Sequence, residues 1–110
     1  MLLEEKTSYT LATADELSFD AFLKSFKVAY NNLKSSHLIL DLTHLEPINP
    51  QEVNKLLEWA SQSRKLKKSF IVIVENIAID DVSEALICVP TLLEAQDTFE
   101  MEEMERDLGF

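Results

Sequence analysis

The sequence predicts one α/β domain in which a mixed, mostly parallel sheet of about four or five strands is covered by helices. Two apolar segments, HLILDL at 37–42 and FIVIV at 70–74, have the length and composition of buried strands. A helix-forming segment lies between them, so we expect these two strands to be adjacent, central and parallel. The 110 residues have the usual length of one domain, and we assign 1–110 to it.

The first part of the chain predicts a strand followed by a long helix. Residues 2–14 mix Thr, Tyr and Leu and predict an edge strand or a small hairpin. Ser18 is a suitable N-cap, and Leu17 and Phe22 have the spacing of a hydrophobic staple. The helix is expected to run to about Asn32. Its apolar face is formed by Phe19, Phe22, Leu23, Phe26, Tyr30 and Leu33.

The clearest local signal in the chain follows HLILDL. Asn49 can cap a helix, Pro50 suits the first helical position, and Glu52 can complete a capping box. Ile48 and Val53 have the spacing of a second staple. The Pro50 helix is expected to place Val53, Leu56, Leu57 and Ala60 inward and to end in the basic cluster Arg64, Lys65, Lys67 and Lys68.

The last part of the chain predicts a short strand and a final helix. Residues 87–89 are apolar and follow an acidic turn near 80–86, so we expect a strand there. Thr91 and Glu94 have the spacing of another capping box. The residues of this helix expected to face the core are Leu92, Ala95, Phe99, Met104 and Leu108.

Composition and charge argue against several classes of function. Twenty acidic and ten basic residues give a net charge of −10, which disfavours nucleic acid as a partner. Seven of the acidic residues and one basic residue lie in 91–110. No segment has the roughly 18 apolar residues of a membrane span, and no secretory signal is present, so we expect no membrane partner. A lone cysteine fits a reducing compartment, and we expect a cytoplasmic protein.

Residues able to support catalysis or metal binding are few. His37 and His44 flank Asp41, but zinc needs three or four converging ligands and His44 lies beyond the strand end. Cys88 lies in an apolar strand, where a thiol usually serves as inert packing. The sole glycine, Gly109, cannot form a phosphate-binding loop. We therefore expect neither an enzyme nor a metal or cofactor site.

The chain resembles a STAS domain, the module of bacterial anti-sigma-factor antagonists and of the cytoplasmic tails of sulfate transporters. The resemblance covers 9–108 and rests on element order: an apolar strand ending in Asp-Leu, a loop, a helix, an apolar strand and a last helix with an internal Glu-Ala. The segments that carry it are HLILDL, THLEPINPQE, FIVIV and PTLLEAQDTFEMEEMERDL. It implies a regulatory domain that binds other proteins.

The resemblance also implies that the usual regulatory switch is missing. In the antagonists, the loop before the second long helix reads Asp-Ser-Ser or Asp-Ser-Thr followed by Gly, and phosphorylation of the second hydroxyl residue breaks the complex. Asn49 stands at the aspartate position of this chain, and Gln51 stands at the phosphorylated position. Because neither Pro50 nor Gln51 has a hydroxyl group, we expect a kinase of that type to leave this segment unmodified.

We predict that the partner is another protein and that it contacts the start of the Pro50 helix. Two alternatives are a small-ligand or anion-binding domain that uses the amides of Gln51 and Glu52, and a homodimer. Trp59 either fills the edge of the core or serves as an exposed aromatic anchor. The acidic last helix is a competing surface for a basic partner. The residues predicted to contact the partner are Glu46, Asn49, Gln51, Asn54, Lys55 and Glu58.

Overall fold

A computed structural model describes residues 1–45 and 47–109, and its centre is a five-stranded sheet in the order β1-β2-β3-β4-β5. β1 pairs antiparallel with β2, and each of the next three strands is parallel to its neighbour. The predicted hairpin and the predicted mixed, mostly parallel sheet are therefore confirmed. The strands are β1 (Leu2–Glu5), β2 (Thr10–Thr13), β3 (Leu38–Asp41), β4 (Phe70–Ile73) and β5 (Ile87–Val89).

Four α-helices and a short 3₁₀ turn connect and cover the strands. Ser18 and Thr91 cap two of the helices, because their hydroxyl groups accept the amides of Ala21 and Glu94. The first predicted staple is wrong, since Leu17 is 91% exposed. None of the helices among the described residues is long and apolar enough to cross a membrane. The elements are α1 (Phe19–Leu33), α2 (Pro50–Asn54), α3 (Leu57–Lys65), the 3₁₀ turn (Ile79–Asp81) and α4 (Leu92–Asp107).

β3 and β4 are adjacent and parallel, as the sequence predicts, with α2 and α3 in the connection between them. Leu38 lies opposite Phe70 and Asp41 lies opposite Ile73 in the register of the pair. All four residues of β4 are buried, as expected of a strand that is covered on both faces.

The larger core lies on the face of the sheet covered by α1, α2 and α3, and Phe26 is at its centre. The Phe26 ring lies 5.7 Å from the rings of Tyr30 and Trp59. It also lies 5.9 Å from Phe22 and 6.1 Å from Phe70. Trp59 is buried in this cluster, so it fills the core rather than forming an exposed anchor.

The Pro50 helix is broken into two pieces rather than continuous, with Lys55 and Leu56 between α2 and α3. α3 buries Trp59 and Ser63, whereas Leu57, which was expected to face inward, is only half-buried. The buried Ser63 hydroxyl lies 2.9 Å from the hydroxyl of Tyr30, so this polar group is satisfied inside the core.

The second core lies on the opposite face of the sheet, beneath α4. Ala95 and Phe99 are the buried residues of this helix. The prediction that Met104 and Leu108 face the core is wrong, because they are 60% and 73% exposed. Met104 is five positions beyond Phe99, which places it roughly 140° away around a helix. The strand residues of this core are Leu11, Ile39, Ile71 and Ile73.

We expect Phe26→Ala to destabilise the protein by about 3–5 kcal/mol, because it removes a fully buried ring and leaves a cavity among four aromatic neighbours. Val28→Ala on the same helix is the matched control, since Val28 is 83% exposed and its truncation should change stability by less than about 0.5 kcal/mol. Urea unfolding monitored by circular dichroism measures both values. Equal stability of the two variants would contradict this packing.

Candidate functional site

The predicted partner surface lies at the edge of the sheet where the parallel strands end. β3 ends at Asp41, and the loop that follows it leads to α2. The 3₁₀ turn that follows β4 lies against α2 at this same edge. Loops at the carboxyl ends of parallel strands commonly form binding sites in α/β proteins.

The capping box at the start of α2 forms as predicted. The Asn49 side-chain oxygen accepts the backbone amide of Glu52 at 2.8 Å, and the Glu52 carboxylate accepts the amide of Asn49 at 3.1 Å. Ile48 is half-buried and packs against the core cluster that contains Val53. These contacts fix the direction in which the chain enters the helix.

Asn54 links α2 to the segment between β4 and β5. Its side-chain oxygen accepts the amide of Ser83 at 2.8 Å, and its side-chain nitrogen donates to the carbonyl of Asp81 at 3.2 Å. Both ends of this amide are therefore engaged within the chain. The sequence predicts Asn54 as a partner contact but does not reveal this connection, because Asp81 and Ser83 lie 27 and 29 residues further along the chain.

Three of the six predicted contact residues are exposed side chains that follow Pro50: Gln51 on α2, Lys55 between the two helices and Glu58 on α3. The Lys55 ammonium lies 3.8 Å from the Asp20 carboxylate, and both side chains are largely exposed, so this ion pair contributes little stability. Glu46, the first residue of the predicted surface, lies outside the described residues.

The two histidines and Asp41 do not converge on a metal position. The Asp41 carboxylate accepts the amide and the hydroxyl of Thr43, at 3.0 and 2.7 Å. His37 lies at the other end of β3, and His44 is exposed in the following loop. Within residues 1–45 and 47–109, no three His, Cys, Asp or Glu side chains are grouped so as to hold a metal ion.

His37 joins the start of β3 to the start of β4 and to α4. Its Nδ1 accepts the backbone amide of Ser69 at 3.0 Å, and its Nε2 lies 3.1 Å from the Glu103 carboxylate. Burial lowers the pKa of His37 below 6.5, and the charges of Arg106 and Lys68 lower it further. Glu103 acts in the opposite direction but does not compensate. Protonation of Nδ1 would also break the bond to Ser69, which agrees with the lowered pKa.

Cys88 lies half-buried in β5 and packs against the larger core. Burial raises the pKa of its thiol to about 11. Because the thiolate is the reactive form of cysteine, this thiol is a poor nucleophile at neutral pH.

A cavity of about 540 Å³ lies at the amino edge of β4 and β5, away from the start of α2. Charged side chains of both signs surround it, including Arg64, Lys68 and Glu102. The Ser69 hydroxyl donates to the Glu102 carboxylate at 2.6 Å and closes one side. Four basic and two acidic side chains line the cavity, and two of the basic ones are already engaged, since Arg64 donates to the Ala85 carbonyl and Arg106 to the Glu103 carboxylate.

Protein-family models give no match to this chain, and curated proteins give no relative. The resemblance to a STAS domain therefore stays a prediction that depends on the order and composition of the elements.

We expect Asn54→Ala to lower the free energy of unfolding by about 1–2 kcal/mol, since it removes two hydrogen bonds that hold the segment after β4. Amide hydrogen exchange at Ser83 should become faster in this variant. Asn54→Asp keeps an acceptor for the Ser83 amide, so exchange at that amide should stay slow. Gln51→Ala is the exposed control. Unchanged exchange at Ser83 in Asn54→Ala would show that the side chain does not hold this segment.

The lowered pKa of His37 predicts a loss of stability in mild acid. Between this lowered pKa and about 6.5, the unfolded chain binds the proton and the folded chain does not. Stability therefore falls as the pH falls through this window and is fully present above it. His37→Asn keeps an acceptor for the Ser69 amide without a titrating ring, so urea unfolding should show a smaller loss in this variant. An NMR titration midpoint above 6.5 for His37 would contradict the prediction.

Proposed function

We propose that this chain is a non-enzymatic protein-interaction module of the STAS type, acting in the cytoplasm without the phosphorylation switch of the anti-sigma-factor antagonists. The observation that carries the proposal is the exposed surface at the start of the Pro50 helix, which is held in place by hydrogen bonds within the chain. We define the α2 surface as Gln51, Lys55 and Glu58, together with Asn49 and Asn54; Glu46 is the sixth contact residue that the sequence predicts.

The α2 surface has the properties of a pre-organised binding site. The capping box fixes the backbone at Asn49, and the hydrogen bonds of Asn54 fix the other end of α2. The exposed side chains of Gln51, Lys55 and Glu58 are carried by this fixed backbone. A surface that is already ordered loses less conformational entropy when a partner binds.

The absence of hydroxyl groups supports a module that is not switched at the usual position. Pro50 and Gln51 offer no phosphate acceptor. Thr43 has a hydroxyl group on the same connection, but that group is half-buried and donates to the Asp41 carboxylate at 2.7 Å. Its phosphorylation would place a dianion beside this carboxylate, which like-charge repulsion disfavours.

The anion-binding alternative has weaker support. The amide of Glu52 is already bonded to the Asn49 side chain, and the Glu52 carboxylate places negative charge at the helix start. α2 has only five residues, so its contribution to an electrostatic field is small. Nucleophilic catalysis by Cys88 has weaker support as well, because burial raises the pKa of its thiol to about 11.

Affinity capture with the purified 110-residue chain, followed by mass spectrometry, identifies candidate partners. The captured protein is then purified, and its affinity for the chain is measured by titration calorimetry. Sedimentation of the chain alone tests the homodimer. A monomer with a specific captured partner supports the proposal, and a stable dimer with no other partner would replace it.

We expect the double variant Lys55→Glu with Glu58→Lys to bind this partner more than about tenfold more weakly, because it inverts the charge pattern at an unchanged net charge. Both side chains are exposed, so the free energy of unfolding should change by less than about 0.5 kcal/mol. Calorimetry measures the affinity, and urea unfolding measures the stability.

Lys24→Glu with Asn31→Lys and Asn32→Lys is the matched control, since all three residues are exposed on α1 and the net charge is again unchanged. Repeating each titration at two salt concentrations separates contact at the α2 surface from long-range attraction to the acidic α4. Full binding by the Lys55/Glu58 variant, with loss only on reversal of Glu102, Glu103 and Glu105, would move the site to α4. The proposed STAS-type surface would then be abandoned.

A further inference from the structure

An apolar stripe runs along the outer face of α4, away from the sheet. We define the α4 stripe as Leu93, Met101, Met104 and Leu108. Their exposed fractions are 67%, 57%, 60% and 73%, so these side chains are largely exposed to solvent. The four residues are separated by eight, three and four positions, the spacing that places side chains on one side of a helix.

The α4 stripe is distinct from the face of the helix that contacts the sheet. Ala95 and Phe99 are buried on that inner face. From Leu93 to Leu108 the stripe spans about 22 Å, or roughly four helical turns. A helix of similar length is therefore the element that fits it best.

Carboxylates border the α4 stripe on both sides, and Asp97 lies within it, four positions from both Leu93 and Met101. Arg106, the one basic residue of α4, is half-buried and donates to the Glu103 carboxylate at 2.9 Å, so its charge is already balanced. Five acidic residues of the helix are exposed beside or within the stripe: Glu94, Asp97, Glu100, Glu105 and Asp107.

We propose that the α4 stripe binds a basic amphipathic helix of another protein. Apolar side chains of that helix pack on the leucines and methionines, and its Lys or Arg residues pair with the bordering carboxylates. Two of the four stripe residues are methionines, whose flexible and polarisable side chains adapt to different apolar partners. Charge complementarity selects this partner among helices of similar apolar content.

The same charges disfavour two other occupants. A second copy of the chain would bring its own five exposed carboxylates against these five, and each copy carries a net charge of −10. An anionic lipid surface would be repelled in the same way, whereas membrane-surface helices usually carry Lys and Arg beside their apolar face.

This inference goes beyond the proposed function, because the α4 stripe and the α2 surface lie on opposite sides of the sheet. One partner or two partners can occupy them. The binding of a basic helix to α4 does not depend on whether the α2 surface acts as proposed.

The test uses a labelled synthetic peptide of about 18 leucine and lysine residues, which spans about 27 Å as a helix and places all leucines on one face. One control peptide has the same composition in scrambled order. A second keeps the leucine face and replaces every lysine with glutamate. Fluorescence anisotropy measures the binding of each peptide to the 110-residue chain.

We expect the leucine–lysine peptide to bind and both control peptides to bind more than about tenfold more weakly. Met101→Ser with Met104→Ser should also weaken binding more than about tenfold, because it removes the centre of the stripe without changing charge. Leu17→Ser with Val28→Ser is the matched control, since these two side chains are exposed outside α4, and it should bind normally. Binding should weaken as salt is added.

Several results would overturn the inference. Equal binding of the scrambled peptide would show that charge alone attracts it, and equal binding of the glutamate peptide would show that charge plays no part. Unchanged binding by the folded Met101/Met104 variant would move the site off the stripe. Sedimentation showing a dimer that dissociates in this variant would make a second copy the occupant. Lys55→Glu with Glu58→Lys should leave peptide binding unchanged, which separates this site from the α2 surface.

Discussion

Burial of β3 and β4 on both faces is the constraint on which the rest of the structure depends. Alternate residues of these strands belong to different cores: Leu38 and Leu40 contribute to one, and Ile39 contributes to the other. Such strands are stable only when each face of the sheet is covered. The connections between parallel strands supply this cover, because each must cross the sheet to begin the next strand. The positions of α1, α2 and α3 follow from these connections, whereas α4 comes after β5 and covers the opposite face of the sheet.

The two faces are covered unequally. α1, α2 and α3 share the larger core, whereas α4 is the helix that packs against the second core in the described part of the chain. At the rim of that smaller core, the Phe99 ring lies 5.4 Å from Tyr9 and 5.1 Å from His37. Polar groups complete the rim, since Ser69 and His37 both contact acidic residues of α4. A thin layer of this kind leaves most of the surface of α4 in solvent.

The sequence predicts those features that depend on neighbours in the chain. The capping box at Asn49 joins residues only three positions apart, and β4 is recognisable from its own run of apolar residues. Both features can therefore be predicted from neighbouring residues, and the structure confirms both. The hydrogen bonds of the Asn54 side chain could not be predicted in the same way, because their partners lie in a segment whose position depends on the whole sheet. Whether Met104 faces the core or solvent likewise depends on which face of α4 packs against the sheet. The sequence does not decide this, because α4 has apolar residues on both faces. The spacing of Leu93, Met101, Met104 and Leu108 is the signal that could have identified the outer stripe.

The acidic residues and the apolar stripe of α4 are best understood as one feature. An exposed apolar stripe promotes self-association, because two such surfaces bury each other in water. Carboxylates at its borders oppose that association, since the same charges meet when two copies approach. They do not oppose a basic surface, for which they provide attraction and a preferred orientation. Seven acidic residues within the last twenty positions therefore have a selective effect: they disfavour contact between copies of this chain and favour contact with partners of opposite charge.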